Sequence, residues 1–366
     1  MWHGENMNYE EVLSREDRAV IALKALYEQY GYRRFRIEKF EPYDLYRDNK
    51  NFLTAETAIT FPDSRGRLMA LKPDVTISIV RSFDPQDISS KWHYTESVFR
   101  RGGVSEEFRE IRQIGIEYLG GNREYPQLEV LLLAMKSLEI FGREGVLAVG
   151  HMGLLRKLID DMAEDRDELL GLLRRKNAHD LNAKERGKVL ASLIELPADP
   201  VEALEYLADT LRTHGIEREL DELRTVVRLM ASHGYRKRVR IDFSVIHNLD
   251  YYNGLVFQGF LSGVPKVVLN GGRYDQLLEK MHKPAKAIGF AIYLDEVMSI
   301  LSSEPQQVDA VILNYCEDMD LLFEAVDQLT SKGMSVRVYE DPAECIPSHK
   351  AYIFSREAVL KEVHRA

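Results

Sequence analysis

The chain has 366 residues, of which 45% are hydrophobic, and a formal net charge of −10, which suits a globular protein with one large core. Its apolar runs, such as 130–135, are far shorter than the roughly 18 residues of a membrane-spanning helix, and its acidic, polar start does not resemble a secretion signal. The negative charge also argues mildly against nucleic acid as a partner. We therefore expect a cytoplasmic protein without a membrane anchor.

Several kinds of catalytic and cofactor site lack support in the sequence. Cys316 and Cys345 lie far apart, with neither a CxxC pair nor a histidine cluster nearby, so we expect reduced thiols and no zinc site. The motifs GxxxxGK[ST], GxGxxG, HExxH and GxSxG are absent. The sequence therefore predicts no metal, no cofactor and no serine-hydrolase centre.

Helices and strands alternate through the first 150 residues. A capping-box pattern at Ser14 and Asp17, followed by apolar residues at helical spacing, predicts a helix over 14–30. A strand is expected near 35–40. The pattern then predicts a hairpin of strands 57–61 and 68–72, a helix capped by Asp74, strands 91–101 and 109–120, and a helix over 126–142.

The composition changes between Gly153 and Arg236. Leu, Glu, Arg, Ala and Asp dominate there, and apolar residues recur every three or four positions, which predicts a helical module of its own. Strands resume at 238–245, 255–261 and 266–270. A polar break at 302–307 then precedes a short α/β tail, in which strands flank a helix over 321–332.

Two local patterns favour a structural interpretation over a functional one. The basic run of Arg236, Lys237, Arg238 and Arg240 is interpreted as a solvated turn before a strand, and a contact with phosphate or an acidic partner is the less favoured alternative. The segment "GGRYD" at 271–275 is interpreted as a tight turn before a helix, since a glycine-rich segment is too common to indicate a phosphate site by itself.

The strand at 109–120 carries a candidate binding face. A period of two places Arg109, Ile111, Gln113, Gly115 and Glu117 on one side and an apolar set on the other. A solvated sheet face is the commoner cause of this pattern. The alternative is a pocket in which Gln113 and Glu117 meet a small polar ligand that has both donors and acceptors.

The segment "LDYYNGLVF" at 249–257 leaves two interpretations open. Buried tyrosines need a hydroxyl partner, and Asp250 shares a strand face with Tyr252, so a ligand pocket is one interpretation. In the other, Tyr251 and Tyr252 only pack, and Asn253-Gly254 forms a hairpin turn. The sequence alone does not separate these two.

Five ordered motifs carry a resemblance to a known family. They are "GYRRFRIEKFEPYDLY", "LMALKPDVTISIVR", "ESVFRR" with "FREIRQIGIEYLG", "LDYYNGLVF", and "GGRYDQLLEKM" with "AIGFAIYLDEV". In sequence and spacing, the span 16–301 resembles the class II catalytic core of histidyl-tRNA synthetases. The resemblance implies an α+β fold with an antiparallel sheet flanked by helices, and a homodimer interface built by the first motif.

The resemblance also implies a site for L-histidine. Asp74 and Thr76 would contact the amino group, Arg100 would lie by the carboxylate, and the remaining residues would line the pocket or close around the imidazole. The complete set of expected histidine-binding residues is Asp74, Thr76, Arg100, Gln113, Glu117, Tyr251, Tyr252 and Tyr274. Asp74 stands where the family has a glutamate.

The residues that such a synthetase uses to activate its amino acid are replaced. The arginine expected before the tyrosine motif corresponds to His247 and Asn248, and the "GLER" pattern of the third motif reads 293–296, with Glu296 in the place of its arginine. Arginine offers phosphate a fork of donors, whereas a carboxylate repels it. Losing one preorganised charge costs about 3 kcal/mol of transition-state stabilisation, so we expect no catalytic residues in this chain.

The tail is shorter than the family's anticodon-binding domain, so tRNA is not an expected partner. Segments 1–152 and 237–302 would form the class II core, 153–236 a helical insertion, and 303–366 a small α/β tail that resembles a truncated anticodon-binding domain. This combination is similar to the regulatory subunits of ATP phosphoribosyltransferase. It implies a non-catalytic histidine-binding chain that partners the short-form catalytic subunit in a hetero-octamer and is needed for its activity and feedback inhibition.

Two other functions stay open at this level. One is a histidine-activating ligase with atypical ATP contacts, and the other is a class II relic that binds a different small ligand or partner.

Overall fold

The computed structural model describes residues 13–49, 58–101, 107–121, 124–160, 166–245, 251–301, 308–315, 317–342, 348–355 and 360–363. These residues divide into two compact units. One lies within Ala19–Ile300, and the other groups the described residues of Met1–Arg18 and Leu301–Ala366.

The described residues form similar numbers of helices and strands. The helices are α1 (Arg15–Gln29), α2 (Asp44–Arg47), α3 (Thr76–Ser82), α4 (Tyr125–Glu139), α5 (Met152–Ile159), α6 (Arg166–Arg174), α7 (Ala178–Ala183), α8 (Lys188–Ala191), α9 (Pro200–Thr210), α10 (Glu217–Ser232), α11 (Asp275–Lys280), α12 (Leu294–Leu301) and α13 (Met319–Thr330). The strands are β1 (Arg33–Arg34), β2 (Phe40–Pro42), β3 (Thr60–Pro62), β4 (Leu68–Leu71), β5 (Ser89–Arg101), β6 (Phe108–Gly120), β7 (Gly145–His151), β8 (Val239–Ile241), β9 (Leu255–Leu261), β10 (Leu269–Arg273), β11 (Ala287–Tyr293), β12 (Val308–Asn314), β13 (Val336–Tyr339), β14 (Ser348–Phe354) and β15 (Leu360–Val363).

An eight-stranded sheet organises the larger unit, in the order β1-β5-β6-β11-β10-β9-β7-β8. The six central strands pair antiparallel, and only the edge strands β1 and β8 pair parallel with their neighbours. This arrangement confirms the expected α+β class with an antiparallel core.

Helices cover both faces of this sheet. On one face Tyr27 of α1 packs edge-on against Phe290 of β11, with ring centroids 6.1 Å apart, and its hydroxyl lies 3.0 Å from Ser137 of α4. On the other face, apolar residues of α3 and α11, including Ile77 and Leu277, form one buried cluster that also contains four buried tyrosines. Polar residues on this second face are therefore shielded from solvent.

The first predicted helix is confirmed together with its cap. The Ser14 hydroxyl accepts a hydrogen bond from the backbone N–H of Asp17 at 3.0 Å and donates one to the Asp17 carboxylate at 2.6 Å. The predicted strand near 35–40 is wrong. The chain forms two short strands instead, because β1 pairs with the main sheet whereas β2 joins a separate three-stranded sheet in the order β2-β4-β3.

The hairpin interpretation of Asn253-Gly254 is also wrong. Strand β7 lies between β8 and β9 in the sheet, so the segment does not connect neighbouring strands. The expected tight turn at "GGRYD" is also wrong, because Gly271 and Gly272 lie inside strand β10. A Cβ atom at Gly272 would lie 2.6 Å from the Tyr252 ring, so a close side-chain approach, and not a turn, requires glycine there.

Helices α5 to α10 occupy the chain between β7 and β8, as the composition predicted. The basic run that follows them is paired within the protein. Arg236 forms an ion pair with Asp199 at 2.8 Å and Arg238 with Glu139 at 2.6 Å, and the segment leads into β8. These contacts confirm the structural interpretation of the run.

The smaller unit contains a four-stranded sheet in the order β13-β12-β14-β15. Leu322, Ala325 and Leu329 of α13 pack on its buried residues, which confirms the predicted α/β character of the tail. Both cysteines lie outside the described residues. Across the described parts of the chain, each helix is too short or too polar to cross a membrane.

The close approach of β6 and β11 generates a stability prediction. A Cβ atom at Gly289 would overlap the Glu117 carboxylate and lie 2.5 Å from the backbone oxygen of Ile116. We expect Gly289→Ala to lower the free energy of unfolding by about 2 kcal/mol, the usual cost of overpacking a core. Urea denaturation measures this change.

Gly171 in α6 supplies the matched control, because a Cβ atom there meets nothing closer than 3.5 Å. Gly171→Ala should stabilise its helix by about 0.5–1 kcal/mol. Equal stability of Gly289→Ala and the wild type would contradict the close packing at this position.

Candidate ligand-binding site

The face of the main sheet that α3 and α11 cover carries most of the predicted site. The register places Gln113, Gly115 and Glu117 of β6 directly opposite Tyr293, Ala291 and Gly289 of β11. On the other side of β6, the opposite residues are Glu96, Tyr94 and Trp92 of β5. The predicted alternation is thus confirmed. The expectation of a solvated face is wrong, since Gln113 and Glu117 are only 5% and 2% exposed.

Glu117 is the centre of this face. The Thr76 hydroxyl, from the first residue of α3, donates a hydrogen bond to Glu117 Oε1 at 2.9 Å. The Tyr274 hydroxyl, from the residue before α11, donates to Oε2 at 2.5 Å. Gly289 leaves the space in which the carboxylate lies. One carboxylate therefore joins a sheet strand to two helices.

The environment of Glu117 changes its protonation. Burial raises the pKa of its carboxyl to about 8, although the hydrogen bonds from Tyr274 and Thr76 act in the lowering direction. The nearby Asp74 raises the pKa further. At neutral pH a large fraction of the carboxyl is therefore protonated, and a ligand that supplies a donor or a positive charge would favour the ionised form.

Asp74 and Arg100 place opposite charges beside this centre. Asp74 Oδ1 accepts a hydrogen bond from the backbone N–H of Ile77 at 3.0 Å, which places the carboxylate at the start of α3 as predicted. Burial raises the Asp74 pKa, and the Arg100 charge opposes that rise. The Arg100 Nε donates to the backbone oxygen of Pro73 at 2.8 Å, and its terminal nitrogens have no hydrogen-bond partner among the described residues.

Three tyrosines close the same region. The Tyr251 and Tyr252 rings meet edge-on with centroids 4.7 Å apart, and Tyr251 and Tyr274 lie 5.8 Å apart. Burial raises the pKa of all three hydroxyls well above the ordinary value, so each remains protonated and can donate. The structure thus brings together the eight residues that the sequence singled out. Gln113 lies four residues from Glu117 along β6, on the same face.

Several polar residues of this face were missed by sequence reasoning. Tyr94 is 1% exposed, and a Cβ atom at Gly115 would lie 2.6 Å from its hydroxyl. Lys72 is fully buried and forms an ion pair with Glu96 at 2.7 Å. Strand residues alternate between two faces, so a count back from Arg100 along β5 in steps of two would have placed Glu96 and Tyr94 on the face of the site. Asn270 of β10 lies opposite Ala291 and could not be placed without the register.

In the third motif, acidic residues stand at and next to the position where a synthetase of this kind has arginine. Glu296 forms an ion pair with Lys266 at 2.9 Å, and the preceding Asp295 holds Arg112 at 2.8 Å. Both carboxylates lie in the first turn of α12. His247, Asn248 and Asp250 lie outside the described residues.

A separate cavity of about 590 Å³ lies away from Glu117 and contains none of the predicted site residues. Tyr118 and Ile288 in its lining belong to the opposite sheet face. Within the described parts of the chain, no group of three or more His, Cys, Asp or Glu residues could hold a metal ion.

The antiparallel sheet with helices on both faces defines a class II aminoacyl-tRNA synthetase-like fold. The family model described as histidyl-tRNA synthetase matches residues 8–297, so the chain belongs to this family.

Known relatives and structures agree with this assignment. Eight relatives that are 26–28% identical carry the name "ATP phosphoribosyltransferase regulatory subunit". The one from Thermoanaerobacter sp. (strain X514) is 28% identical over 332 residues, which cover 85% of this chain and 86% of that protein.

Two solved structures share the fold. A protein from Bacillus halodurans, titled an ATP phosphoribosyltransferase regulatory subunit/histidyl-tRNA synthetase, aligns with a TM-score of 0.70 at 24% identity and covers 90% of this chain and 89% of its own. A chain of the ATP phosphoribosyl transferase complex from Thermotoga maritima aligns with a TM-score of 0.60 at 20% identity and covers 76% and 97%, respectively.

The raised pKa of Glu117 predicts a specific pH dependence of stability. Unfolded Glu117 loses its proton near pH 4.5, whereas the folded protein retains the proton up to about pH 8. The folded state binds more protons in this window, so the contribution of Glu117 to the free energy of unfolding falls as pH rises, by up to about 1.4 kcal/mol per pH unit.

Glu117→Gln removes this contribution while it keeps the shape of the side chain. Chemical denaturation of both proteins at pH 5, 6, 7 and 8 measures the contribution of Glu117 to the free energy of unfolding. The other ionisable groups titrate in both proteins, so their effects cancel in the comparison. The wild type should lose stability relative to the variant as pH rises. Parallel pH profiles would contradict the assigned pKa.

Proposed function

We propose that this chain is the regulatory subunit of an ATP phosphoribosyltransferase and that it binds L-histidine at the Glu117 site. The chain carries out no reaction of its own in this role. The names of the eight relatives support the regulatory assignment. The buried Glu117 carboxylate, held by two hydroxyl donors inside a tyrosine cluster, is the observation that supports a small-molecule ligand.

The charges of the site complement an amino acid zwitterion. Asp74 and Thr76 would receive the amino group at the start of α3, and the terminal nitrogens of Arg100 would bind the carboxylate. Glu117, which Thr76 contacts from the side of α3, would accept the imidazole N–H. Its ionised carboxylate offers about four acceptor positions, of which Thr76 and Tyr274 use two.

Aromatic rings suit the imidazole as well. Tyr251, Tyr252 and Tyr274 would close around a flat ring, and an edge-on contact is already present between Tyr251 and Tyr252. Gln113 offers both a donor and an acceptor on the same face. A ligand with a flat ring, one N–H and a zwitterionic end satisfies all of these groups at once.

The acidic residues of α12 support a chain without activation chemistry. Asp295 and Glu296 are bound to Arg112 and Lys266, so the start of this helix presents carboxylates where a synthetase would hold ATP through arginine. A triphosphate would therefore find no arginine fork at the position of Glu296. This observation favours the regulatory role over a histidine-activating ligase.

The proposed partner is the short-form catalytic subunit, in a cytoplasmic hetero-octamer built on homodimers of this chain. The small sheet next to the first motif offers a surface for the homodimer. Phe40 and Leu68 are 53% and 50% exposed there, and Phe40 packs edge-on against Phe61. Exposed apolar side chains of this kind mark surfaces that a partner covers.

Feedback inhibition follows from linkage. If histidine binds one arrangement of the complex more tightly than another, it shifts the population toward that arrangement, and the shift cannot exceed the difference in binding free energy. A variant that loses histidine affinity should therefore keep its activating effect and lose its inhibition.

Reconstitution with a short-form catalytic subunit tests the proposed role. The catalytic subunit should gain phosphoribosyltransferase activity when this chain is added, and histidine should inhibit the complex. With Glu117→Gln, activation should persist while the histidine concentration for half-inhibition rises at least tenfold, because one carboxylate oxygen becomes an NH2 donor and the negative charge is lost. No activation by the wild-type chain would contradict the regulatory assignment.

ATP–pyrophosphate exchange tests the competing enzymatic role. The purified chain should show no exchange above background with histidine, ATP and magnesium, since the arginines that hold ATP are replaced. A histidyl-tRNA synthetase measured in parallel is the positive control. Histidine-dependent exchange by this chain would contradict the non-catalytic role.

A further inference from the structure

We propose that Arg273 is a positioning residue that couples the helical insertion, helices α5 to α10, to the histidine site. It holds Tyr274 in the orientation in which its hydroxyl reaches Glu117, and its ion pair with Glu222 makes histidine affinity depend on α10. This inference rests on the proposed histidine site. Arg273 itself is not one of the eight expected site residues.

Tyr274 is held by an ion pair between the two residues that flank it. Arg273 Nε donates a hydrogen bond to Asp275 Oδ2 at 2.7 Å, and Arg273 Nη2 lies 2.7 Å from the same oxygen. Asp275 Oδ1 accepts from the backbone N–H of Ala287 at 2.9 Å, and the Tyr274 N–H donates to the Ala287 oxygen at 2.9 Å. These bonds fasten the chain around Tyr274 to strand β11.

The bond from Tyr274 to Glu117 makes the site sensitive to this ion pair. The Tyr274 hydroxyl donates to Glu117 Oε2 at 2.5 Å, and hydrogen bonds weaken steeply as their geometry departs from the ideal. Asp275 is only 5% exposed, so loss of the Arg273 charge would leave a buried carboxylate without its cation. The segment would then rearrange and move the Tyr274 hydroxyl with it.

Arg273 also contacts the segment that carries the other two tyrosines. Its backbone oxygen accepts from the N–H of Asn253 at 3.0 Å, and Asn253 Oδ1 accepts from the N–H of Asp275 at 3.1 Å. A Cβ atom at Gly254 would lie 2.8 Å from Arg273 Cδ, so the arginine stem lies against this glycine. Arg273 therefore joins the two segments that supply the three tyrosines of the site.

Glu222 of α10 connects Arg273 to the helical insertion. Its Oε2 lies 3.8 Å from Arg273 Nη1, within ion-pair distance, and both side chains are 13% exposed. His151 Nδ1 accepts from the backbone N–H of Leu154 at 3.3 Å, so Nε2 carries the proton and donates to Glu222 at 3.2 Å. This hydrogen bond lowers the pKa of Glu222, as do the charges of Arg273 and Arg218, so the carboxylate is ionised at neutral pH.

The separate cavity of about 590 Å³ lies beside this ion pair, and both Arg273 and Glu222 line it. Side chains do not fill the space next to the pair, so charge attraction joins α10 to β10 at this point. By linkage, a ligand or partner that displaces α10 would change histidine affinity, and bound histidine would bias α10 by the same free energy. The helical insertion thus gains a part in feedback control.

Calorimetry with L-histidine on the full chain tests the coupling. Arg273→Gln should weaken histidine about tenfold, because the charge that holds Asp275 is lost. Glu222→Gln should weaken it about threefold, since its amide oxygen still accepts from His151 but no longer attracts Arg273. The double variant should lose no more affinity than Arg273→Gln alone. Unchanged histidine affinity of Glu222→Gln would overturn the coupling to α10.

Arg238→Gln is the matched control. Arg238 follows α10 and forms an ion pair with Glu139 of α4 at 2.6 Å, away from Tyr274. Its replacement should lower the free energy of unfolding and leave histidine affinity unchanged. Equal losses of histidine affinity in Arg238→Gln and Arg273→Gln would show a general structural effect and overturn the inference.

A readout without histidine tests the positioning of Tyr274 by itself. The Tyr274 hydrogen bond lowers the pKa of Glu117, so Arg273→Gln should raise that pKa in the same direction as Tyr274→Phe. Chemical denaturation from pH 5 to 9, with each protein compared with its Glu117→Gln version, measures the shift. An unchanged pH profile in Arg273→Gln would overturn the positioning role. Failure of the wild type to bind histidine would instead overturn the proposed histidine site, while this profile still tests Arg273.

Discussion

The rest of the site depends on one buried carboxylate. Glu117 is 2% exposed, and its two oxygens accept hydrogen bonds from α3 and from the residue before α11. Moving a carboxylate out of water costs several kcal/mol, and the raised pKa of Glu117 shows that two hydroxyl donors do not fully offset this cost. A hydrophobic residue would serve packing alone better. The carboxylate is therefore best explained by a ligand that completes its hydrogen bonds.

The surrounding structure is arranged to make this burial possible. Three glycines of the sheet face leave room for polar groups, namely Gly115 beneath the Tyr94 hydroxyl, Gly272 beneath the Tyr252 ring and Gly289 beside Glu117. Helices α3 and α11 close the face from above with apolar residues. Under the proposed function, the fold that supports amino acid activation in synthetases would keep an amino acid pocket here, while α12 presents carboxylates in place of the arginine that would hold ATP.

The sequence predicted the parts of the fold that depend on local chemistry. The alternation of Gln113, Gly115 and Glu117 identified their common face because strand geometry has a period of two. The cap of α1 followed from Ser14 and Asp17. Burial of the Glu117 face was not predictable, because it depends on helices that are more than 30 residues distant in sequence.

The errors came from long-range strand pairing. Nothing near Asn253-Gly254 indicates that β7, about 100 residues earlier, inserts between β8 and β9. For the same reason Asn270 was overlooked, since its neighbours are set by the register of β10 and β11. The eight expected site residues were found through family resemblance, and their binding role stays a prediction.

A calorimetric titration of the purified chain with L-histidine, in the wild type and in Glu117→Gln, tests the central claim most directly. The account predicts one saturable site per chain in the wild type and an affinity at least tenfold weaker in the variant, whose fold is retained by circular dichroism. Equal histidine affinity of the two proteins, or no binding heat in the wild type at millimolar histidine, would contradict it.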